Sequence, residues 1–468
     1  MSILHLQFFI YSFLCCVLAQ ANAINVSEAA NDSTKYIEIS AITYAGFKHT
    51  QVWVIEKNIP IKTGDSVRID QVFPLLKTIR QEILKTRLYN EANVRISNWE
   101  KNQIEINILV EERWYLFPLP YFKLSDRNFN QWWQDYNRDW RRTIFGINLY
   151  HNNLTGRSDK AKLSVLGGFN QTLAFSYETP YLNPTKNLGL GIEFYRRRSH
   201  DLNFGSSGNK QQFFRGADFI YKITDVGLSL TFQTNTYNIF SLSSTFRLET
   251  IADTIRVLNP DYFNTKALSQ SLWSLGISWS SDHRDRVIYP LDGWYALATY
   301  RLYSGSGSVI QQWNGFAALY KRLNVKWSLS NELYSRISST PNLPYSLSEG
   351  LGYERKLIRG YELYIIDGQN DVLLKNSVRF ELLNFEIEKP LIVLKAFDHI
   401  PFEIYLTGFI DAGYVADALT LSTNPLNNQW QYSSGIGIDI FSYYDFSFSC
   451  YYAINAMGEK GIYLHFNN

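Results

Sequence analysis

Cysteine and methionine are scarce in this chain, with 3 Cys and 2 Met in 468 residues. Cys15 and Cys16 fall in an apolar N-terminal stretch, so a chain that loses this stretch keeps only Cys450 and has no internal disulfide. An excess of either charge is also lacking. Lys+Arg 45 against Asp+Glu 43 gives a formal +2, which excludes the electrostatic footprint of a nucleic-acid binder. Charged residues make up only 19%. After the N-terminus no apolar run is long enough to be a transmembrane helix, which excludes a helical membrane protein. The histidines His5, His49, His151, His200, His283, His399 and His465 are scattered without metal-ligand spacing. No nucleophile turn accompanies them, so neither a catalytic site nor a metal or cofactor is expected. What the chain does have is aromatics: 32 Tyr, 30 Phe and 12 Trp, 16% of all residues. Tyr and Trp in such numbers suit a boundary between apolar and wet surroundings.

Residues Ile3 to Ala19 are mostly apolar and are followed by Gln20-Ala21-Asn22-Ala23, a small-x-small pattern. Residues 1–23 therefore read as a secretory signal peptide. No Lys or Arg precedes the apolar run, which leaves a transmembrane anchor as the alternative. Residues 24–35 are small and polar and read as a linker.

Residues 36–112 have an order of their own. Tyr36–Tyr44 alternates as a strand does, and Gly46–Thr50 turns into a helix that stops near Pro60, with Thr50 as the expected N-cap. Gly64-Asp65 is a second turn. Ile69, Val72, Phe73, Leu76, Ile79 and Ile83 share one helical face, and Pro74 sets the start of this helix near Asp70. Alternating runs at 93–98 and 103–110 complete a β-α-α-β-β order.

From Trp114 onward, segments of about 10 residues alternate apolar and polar and are separated by turn residues. About 16 such segments fit residues 113–468, which suits an antiparallel transmembrane β-barrel. In Ser377–Leu383, Val378, Phe380 and Leu382 oppose Ser377, Arg379 and Glu381. In Glu403–Asp411, Ile404, Leu406 and Ile410 oppose Glu403, Thr407 and Asp411. A charged face is costly inside a soluble sandwich and ordinary on a wet lumen. The expected long connections on one side are 125–141, 199–210, 237–266, 337–370 and 415–430. The expected short ones on the other are 151–160, 222–226 and 441–445. The stretch 384–402 is too long for its side.

The spacing of Gly46, Gly64-Asp65, Leu88-Tyr89, Val94 and Val110-Glu111-Glu112 resembles a POTRA domain. Such domains precede the barrels of the BamA/TamA superfamily of outer-membrane assembly and translocation proteins, the bacterial surface antigen barrels. The resemblance implies that the strand edge at 103–110 takes up extended substrate. It extends into the barrel. Leu357-Ile358-Arg359-Gly360-Tyr361, after Gly350 and Gly352, resembles the superfamily's inward-folding loop motif. Phe409-Ile410-Asp411-Ala412-Gly413-Tyr414-Val415 resembles its acid-bearing strand, with Glu381 on the strand before. Asp411 and Glu381 are thus the expected ion-pair partners of Arg359. Asp282, Arg284 and Asp285 with Pro290 and Gly293 resemble the superfamily's D-x-R-D…P-x-x-G turn, expected on the periplasmic side.

The implied protein sits in the bacterial outer membrane with residues 36–112 in the periplasm. It inserts or translocates client polypeptides without ATP or any cofactor. Its partners are the lipid bilayer, clients and accessory periplasmic or lipoprotein subunits. A single POTRA-like domain implies a specialised member. The alternative from another class is a passive pore or transporter for small solutes.

Overall fold

The computed structural model describes residues 36–467 apart from 126–136, 184, 186, 306–307, 354–355, 389–398, 419–422 and 443–445. The leader at 1–23 and the linker at 24–35 lie outside the described residues.

The N-terminal domain comprises β1 (Tyr36–Ala45), α1 (Trp53–Asn58), β2 (Ser66–Arg68), α2 (Val72–Lys85), β3 (Tyr89–Glu100) and β4 (Gln103–Glu112). Its sheet order is β2-β1-β4-β3, with β4 parallel to β1 and antiparallel to β3. α2 buries Val72, Ile79 and Ile83 in one cluster with Ile37 and Ile39 of β1 and Ile104, Ile106 and Ile108 of β4. The period-2 and period-3.6 patterns meet there, as amphipathic elements require.

Several expectations are corrected here. The strand at 103–110 is not an edge. It pairs on both sides, and β3 is the long strand with an open side. Ile104, Ile106 and Ile108 are fully buried, which places β4 at the centre of the sheet. A short strand, β2, adds to the expected order by pairing Ser66–Arg68 with Glu38–Tyr36. α2 begins at Val72 behind a 3₁₀ turn at Ile69–Gln71. Thr50 does not cap α1, which follows Val52 without a side-chain cap; the Thr50 hydroxyl lies 2.9 Å from that of Tyr115.

The remaining strands are β5 (Leu116–Leu124), β6 (Thr143–His151), β7 (Lys160–Gly168), β8 (Asn170–Thr179), β9 (Leu188–Ser199), β10 (Asp201–Ser207), β11 (Lys210–Arg215) and β12 (Tyr221–Gln233). They continue as β13 (Asn238–Ile251), β14 (Ser269–Asp282), β15 (Gly293–Gly305), β16 (Ser308–Arg322), β17 (Trp327–Ser338), β18 (Asn370–Glu388), β19 (His399–Ala416), β20 (Trp430–Ser442), β21 (Ser447–Asn455) and β22 (Lys460–Asn467). All but β10 and β11 form one 16-stranded sheet running in chain order from β5 to β22. β10 and β11 pair as a hairpin within the connection after β9.

The pleat separates two environments. On β13, Phe240, Leu242, Phe246 and Leu248 are exposed, while Arg247 forks onto Asp225 at 2.8 and 2.9 Å and Glu249 accepts from Tyr221 and Gln270. An apolar outer wall with paired charges within is the pattern of an outer-membrane barrel. Among the described residues, no helix is long and apolar enough to cross a membrane.

Several connections differ from expectation. Residues 222–226 lie inside β12, and 237–266 conceals β13 and a short helix, α3 (Asp253–Leu258). The hydroxyl-rich stretch Ser241–Thr245 reads as loop in sequence, yet it pairs along its length with β12 and β14. In the overlong stretch 384–402, residues 384–388 belong to β18, which runs to Glu388, and residues 399–402 to β19, which starts at His399.

Candidate functional site

The connection from β17 to β18, residues 339–369, reaches back against the inner side of β18–β21. Arg359 is its centre. Its Nε donates to Asp411 Oδ2 at 2.8 Å, its Nη2 to Asp411 Oδ1 at 2.5 Å, and its backbone N–H to Asp411 Oδ2 at 3.1 Å. Nη1 donates to Ser377 Oγ at 3.0 Å. The guanidinium lies 3.9 Å from the centroid of the Phe409 ring and 5.5 Å from that of Tyr451. Asp411 is fully buried and Arg359 is 7% exposed, so this pair is shielded from water. A flat guanidinium matches both the carboxylate and the ring face, which an ammonium does not.

The neighbours of Arg359 explain how the turn fits. Gly360 has φ +91 and packs close to Ala453 and Ser433, so a side chain there meets both backbone strain and crowding. Asn455 Nδ2 donates to Gly360 O at 3.0 Å. Tyr361 is buried and donates to Gln431 Oε1 at 3.0 Å. Ile358 and Leu351 occupy the space beside Gly413, where an added Cβ would stand 2.5 Å from Ile358. Two further contacts tie the loop to the last hairpin: Tyr364 donates to Glu459 at 2.8 Å, and His465 Nε2 lies 3.2 Å from Glu362.

Glu381 is not a partner of Arg359. It lies further toward the other end of β18 and accepts from Tyr405 at 3.4 Å; Ser377 takes the position expected of the second acceptor. Sequence reading also missed a second anchor of the same loop. Arg336 and Lys356 each approach Asp371 to 2.8 Å, and Arg336 Nη2 donates to Gly368 O at 2.6 Å.

The turn between β14 and β15 forms a second constellation. Asp282 holds Arg284 through Nε at 2.8 Å and Nη2 at 2.5 Å, and Arg284 lies over the Tyr295 ring. Asp285 Oδ1 accepts from Arg286 N and Leu291 N, each at 3.0 Å, which closes the turn. Gly293 has φ +99, and an added Cβ would stand 2.1 Å from His283 O. Pro290 O accepts from Arg379 at 2.8 Å. Residues the motif did not identify connect the turn to the far wall. Arg286 donates to both oxygens of Glu403, at 2.9 and 2.8 Å, and Tyr289 to Asp439 at 2.8 Å. Asp439 also accepts from Thr407, Ser449 and Tyr451.

In the N-terminal domain, Gly46 has φ +90, and an added Cβ would stand 1.9 Å from Val110 O. Gly64 has φ +93 in an open turn. Leu88 and Tyr89 are buried at the corner from α2 to β3. Burial pushes the Tyr89 hydroxyl well above the usual phenol range. Glu111 is exposed, and the next residue carries the contacts: Glu112 accepts from His49 N at 3.0 Å and Thr50 N at 2.7 Å. The same segment reaches the turn between β6 and β7. His49 Nε2 donates to Asn153 O at 2.6 Å, Gln51 N to Gly156 O at 2.9 Å, and Asn153 Nδ2 to Thr50 Oγ1 at 2.9 Å. Trp53 meets Tyr181 edge-on with centroids 5.1 Å apart.

The sheet ends matter as much as the loop. Among the described residues, β5 and β22 each pair on one side only and not with each other. The loop that carries Arg359 contacts β22 through His465 and so lies beside this open end.

Residues 153–374 match the Omp85 superfamily domain. No curated protein matches the chain by sequence. Among solved structures, BamA from Haemophilus ducreyi lacking POTRA domains 1-3 is similar, with a TM-score of 0.52 and 15% identity over 93% of this chain and 84% of that one. CdiB from Acinetobacter baumannii is similar with a TM-score of 0.51 and 12% identity over 92% of this chain and 73% of that one. At these identities the likeness is one of fold.

Proposed function

Because the chain is a BamA/TamA-like member of the Omp85 superfamily, we propose that it inserts client polypeptides into the outer membrane or moves them across it, without ATP. Residues 36–112 face the periplasm in this reading, and clients arrive from that side.

The observation that carries the proposal is the open pair of sheet ends, β5 and β22. Unpaired strand edges are templates for further strands, and the gain from pairing with an extended client needs no nucleotide. The Arg359 loop braces β18, β19 and β21 from within, so β22 can part from β5 while the rest of the wall keeps its shape. β3 offers a second open edge, where a client segment can wait before it reaches the barrel.

Reconstitution tests this directly. Vesicles containing the full-length protein, free of nucleotide, should speed the folding of an unfolded outer-membrane barrel, read as a heat-modifiable, protease-protected band. Cysteines introduced on β5 and β22, in a chain without Cys450, should stop the reaction when oxidised and restore it when reduced. Vesicles that give no acceleration but show discrete, solute-selective conductance would replace the proposal with a passive pore.

A further inference from the structure

β18 has 19 residues and β19 has 18, and their ladder continues to Glu388↔His399. Their neighbours stop earlier. β17 last pairs with β18 at Trp327↔Phe380, and β20 last pairs with β19 at Ser442↔Phe402. A two-stranded ribbon thus projects past the wall on the side of the N-terminal domain. Beyond the Glu381 N–H, which donates to Lys326 O at 2.8 Å, no strand among the described residues pairs with the outer side of β18.

The two edges of this ribbon are not alike. On the β19 side Pro401 has no N–H to offer, and its carbonyl accepts from Ser442 Oγ at 3.0 Å, so that edge is blunted. On the β18 side the sequence is Leu382-Leu383-Asn384-Phe385-Glu386-Ile387-Glu388, without Pro, Lys or Arg. Of the usual guards of an exposed edge, Pro and Lys are missing there, and what remains is a bulge at Leu382 with the acids Glu386 and Glu388.

The faces are equally distinct. A bulge at Leu382 shifts the register from Glu381↔Tyr405 to Leu383↔Ile404. Leu383, Phe385 and Ile387 therefore share a face with Ile404, Phe402 and Ile400, and the Phe385 and Phe402 rings stack at 5.5 Å. This is the face that presents Val378 and Phe380 to lipid higher up. Leu383, Phe385 and Ile387 are 56%, 43% and 41% exposed. Asn384, Glu386 and Glu403 lie on the opposite face, and the root is fixed by the Arg286–Glu403 pair.

An open backbone edge is not stable in hydrocarbon, so the ribbon lies in water. An apolar ladder in water beside an unpaired edge is a site for another strand. We infer that the β18 edge at Leu382–Glu388 captures an extended client segment of alternating character. Its apolar side chains join the row of Leu383, Phe385 and Ile387, and its polar or basic ones fall on the side of Glu386 and Glu403. Because this row continues the lipid-facing wall, the captured strand is already turned with its apolar side toward the membrane. The inference rests on the polypeptide-handling function proposed above.

The test uses the full-length protein in lipid nanodiscs, with a photoreactive residue at Asn384 in β18 and, as control, at Asn235 in the turn between β12 and β13. The probe is a peptide of residues 460–467, KGIYLHFN, against one of the same composition with its apolar residues grouped. The alternating peptide should crosslink at position 384 and not at 235, about tenfold above the grouped one. The Phe385→Asn, Ile387→Asn double variant should weaken capture about tenfold while its barrel stays heat-modifiable. Equal labelling by both peptides, no labelling at all, or labelling of phospholipid alone would overturn the inference. The two readings separate. Vesicle-borne client folding without capture at position 384 removes the inference and leaves the function. Capture without client folding removes the proposed function and keeps the site.

Discussion

Arg359 and Asp411, 52 residues apart in sequence, close a bidentate pair in which the guanidinium also rests on the Phe409 ring. An exposed ion pair contributes about 0–1 kcal/mol, but removing one partner of a buried pair costs on the order of 3–5 kcal/mol. Arg359→Ala and Asp411→Asn should therefore each lower the temperature at which the barrel loses its compact, heat-resistant form. The double variant should lose less than the sum, because both changes abolish one interaction. A double-mutant cycle on that temperature checks this, and strict additivity would remove the pair as the anchor of the loop. Glu381→Gln should leave the temperature near that of the parent, since Glu381 touches Tyr405 and not Arg359.

Asp439 gives a second prediction. Four hydroxyls, from β19, β21 and the β14–β15 turn, point at one buried carboxylate: Thr407, Ser449, Tyr451 and Tyr289. Asp439→Ala strands these donors at a cost of about 1–3 kcal/mol for each one that finds no substitute. Its effect should exceed that of Tyr289→Phe, which removes a single donor and keeps the ring against Arg379. Thermal unfolding of the two variants side by side measures the order, and an equal loss would show that the turn and not the carboxylate holds this corner.

The barrel was legible because membrane strands repeat one constraint, apolar out and polar in, over about 10 residues at a time. β18 and β19 show it plainly at Val378, Phe380, Ile404 and Leu406. β13 hid because Ser241–Thr245 offers hydroxyls where larger side chains usually mark the alternation. Arg359 and Asp411 were legible from motif residues, whereas Arg286, Glu403, Tyr289 and Asp439 were not. Their partners are 117 and 150 residues away and meet only when the sheet curves round the turn. The stem of the 384–402 stretch follows from pairing rather than composition, since a bulge at Leu382 switches which residues face outward.

At the domain junction, adjacent acids should separate cleanly. Glu112→Ala removes the acceptor of two backbone N–H groups, at His49 and Thr50, which shape the segment touching Asn153 and Gly156. The expected result is faster protease cleavage between the N-terminal domain and an intact barrel. Glu111→Ala, on the exposed neighbour, should behave as the parent. Limited proteolysis followed by mass analysis of the fragments decides, and equal sensitivity of the two variants would show that these bonds do not hold the junction.

Alkaline pH should unlock the N-terminal domain before the barrel. Burial raises the Tyr89 hydroxyl well above the usual phenol range, and burial with the nearby Glu56 charge raises Tyr44 to about 12. An unfolded chain releases these protons near pH 10, roughly its ordinary phenol value. Between that pH and the folded values, the folded domain holds more protons than the unfolded one, so stability falls as pH rises. The contribution is fully present below about pH 10 and is lost on the way through the folded values. Tyr89→Phe removes the larger of the two linkages and should flatten the loss between about pH 10 and 12. Absorbance of tyrosinate, recorded with amide exchange of β3 and β4 over the same range, should show late proton release coinciding with loss of protection in the parent. Release near pH 10 with protection intact would mean that Tyr89 is reached by solvent in the folded domain.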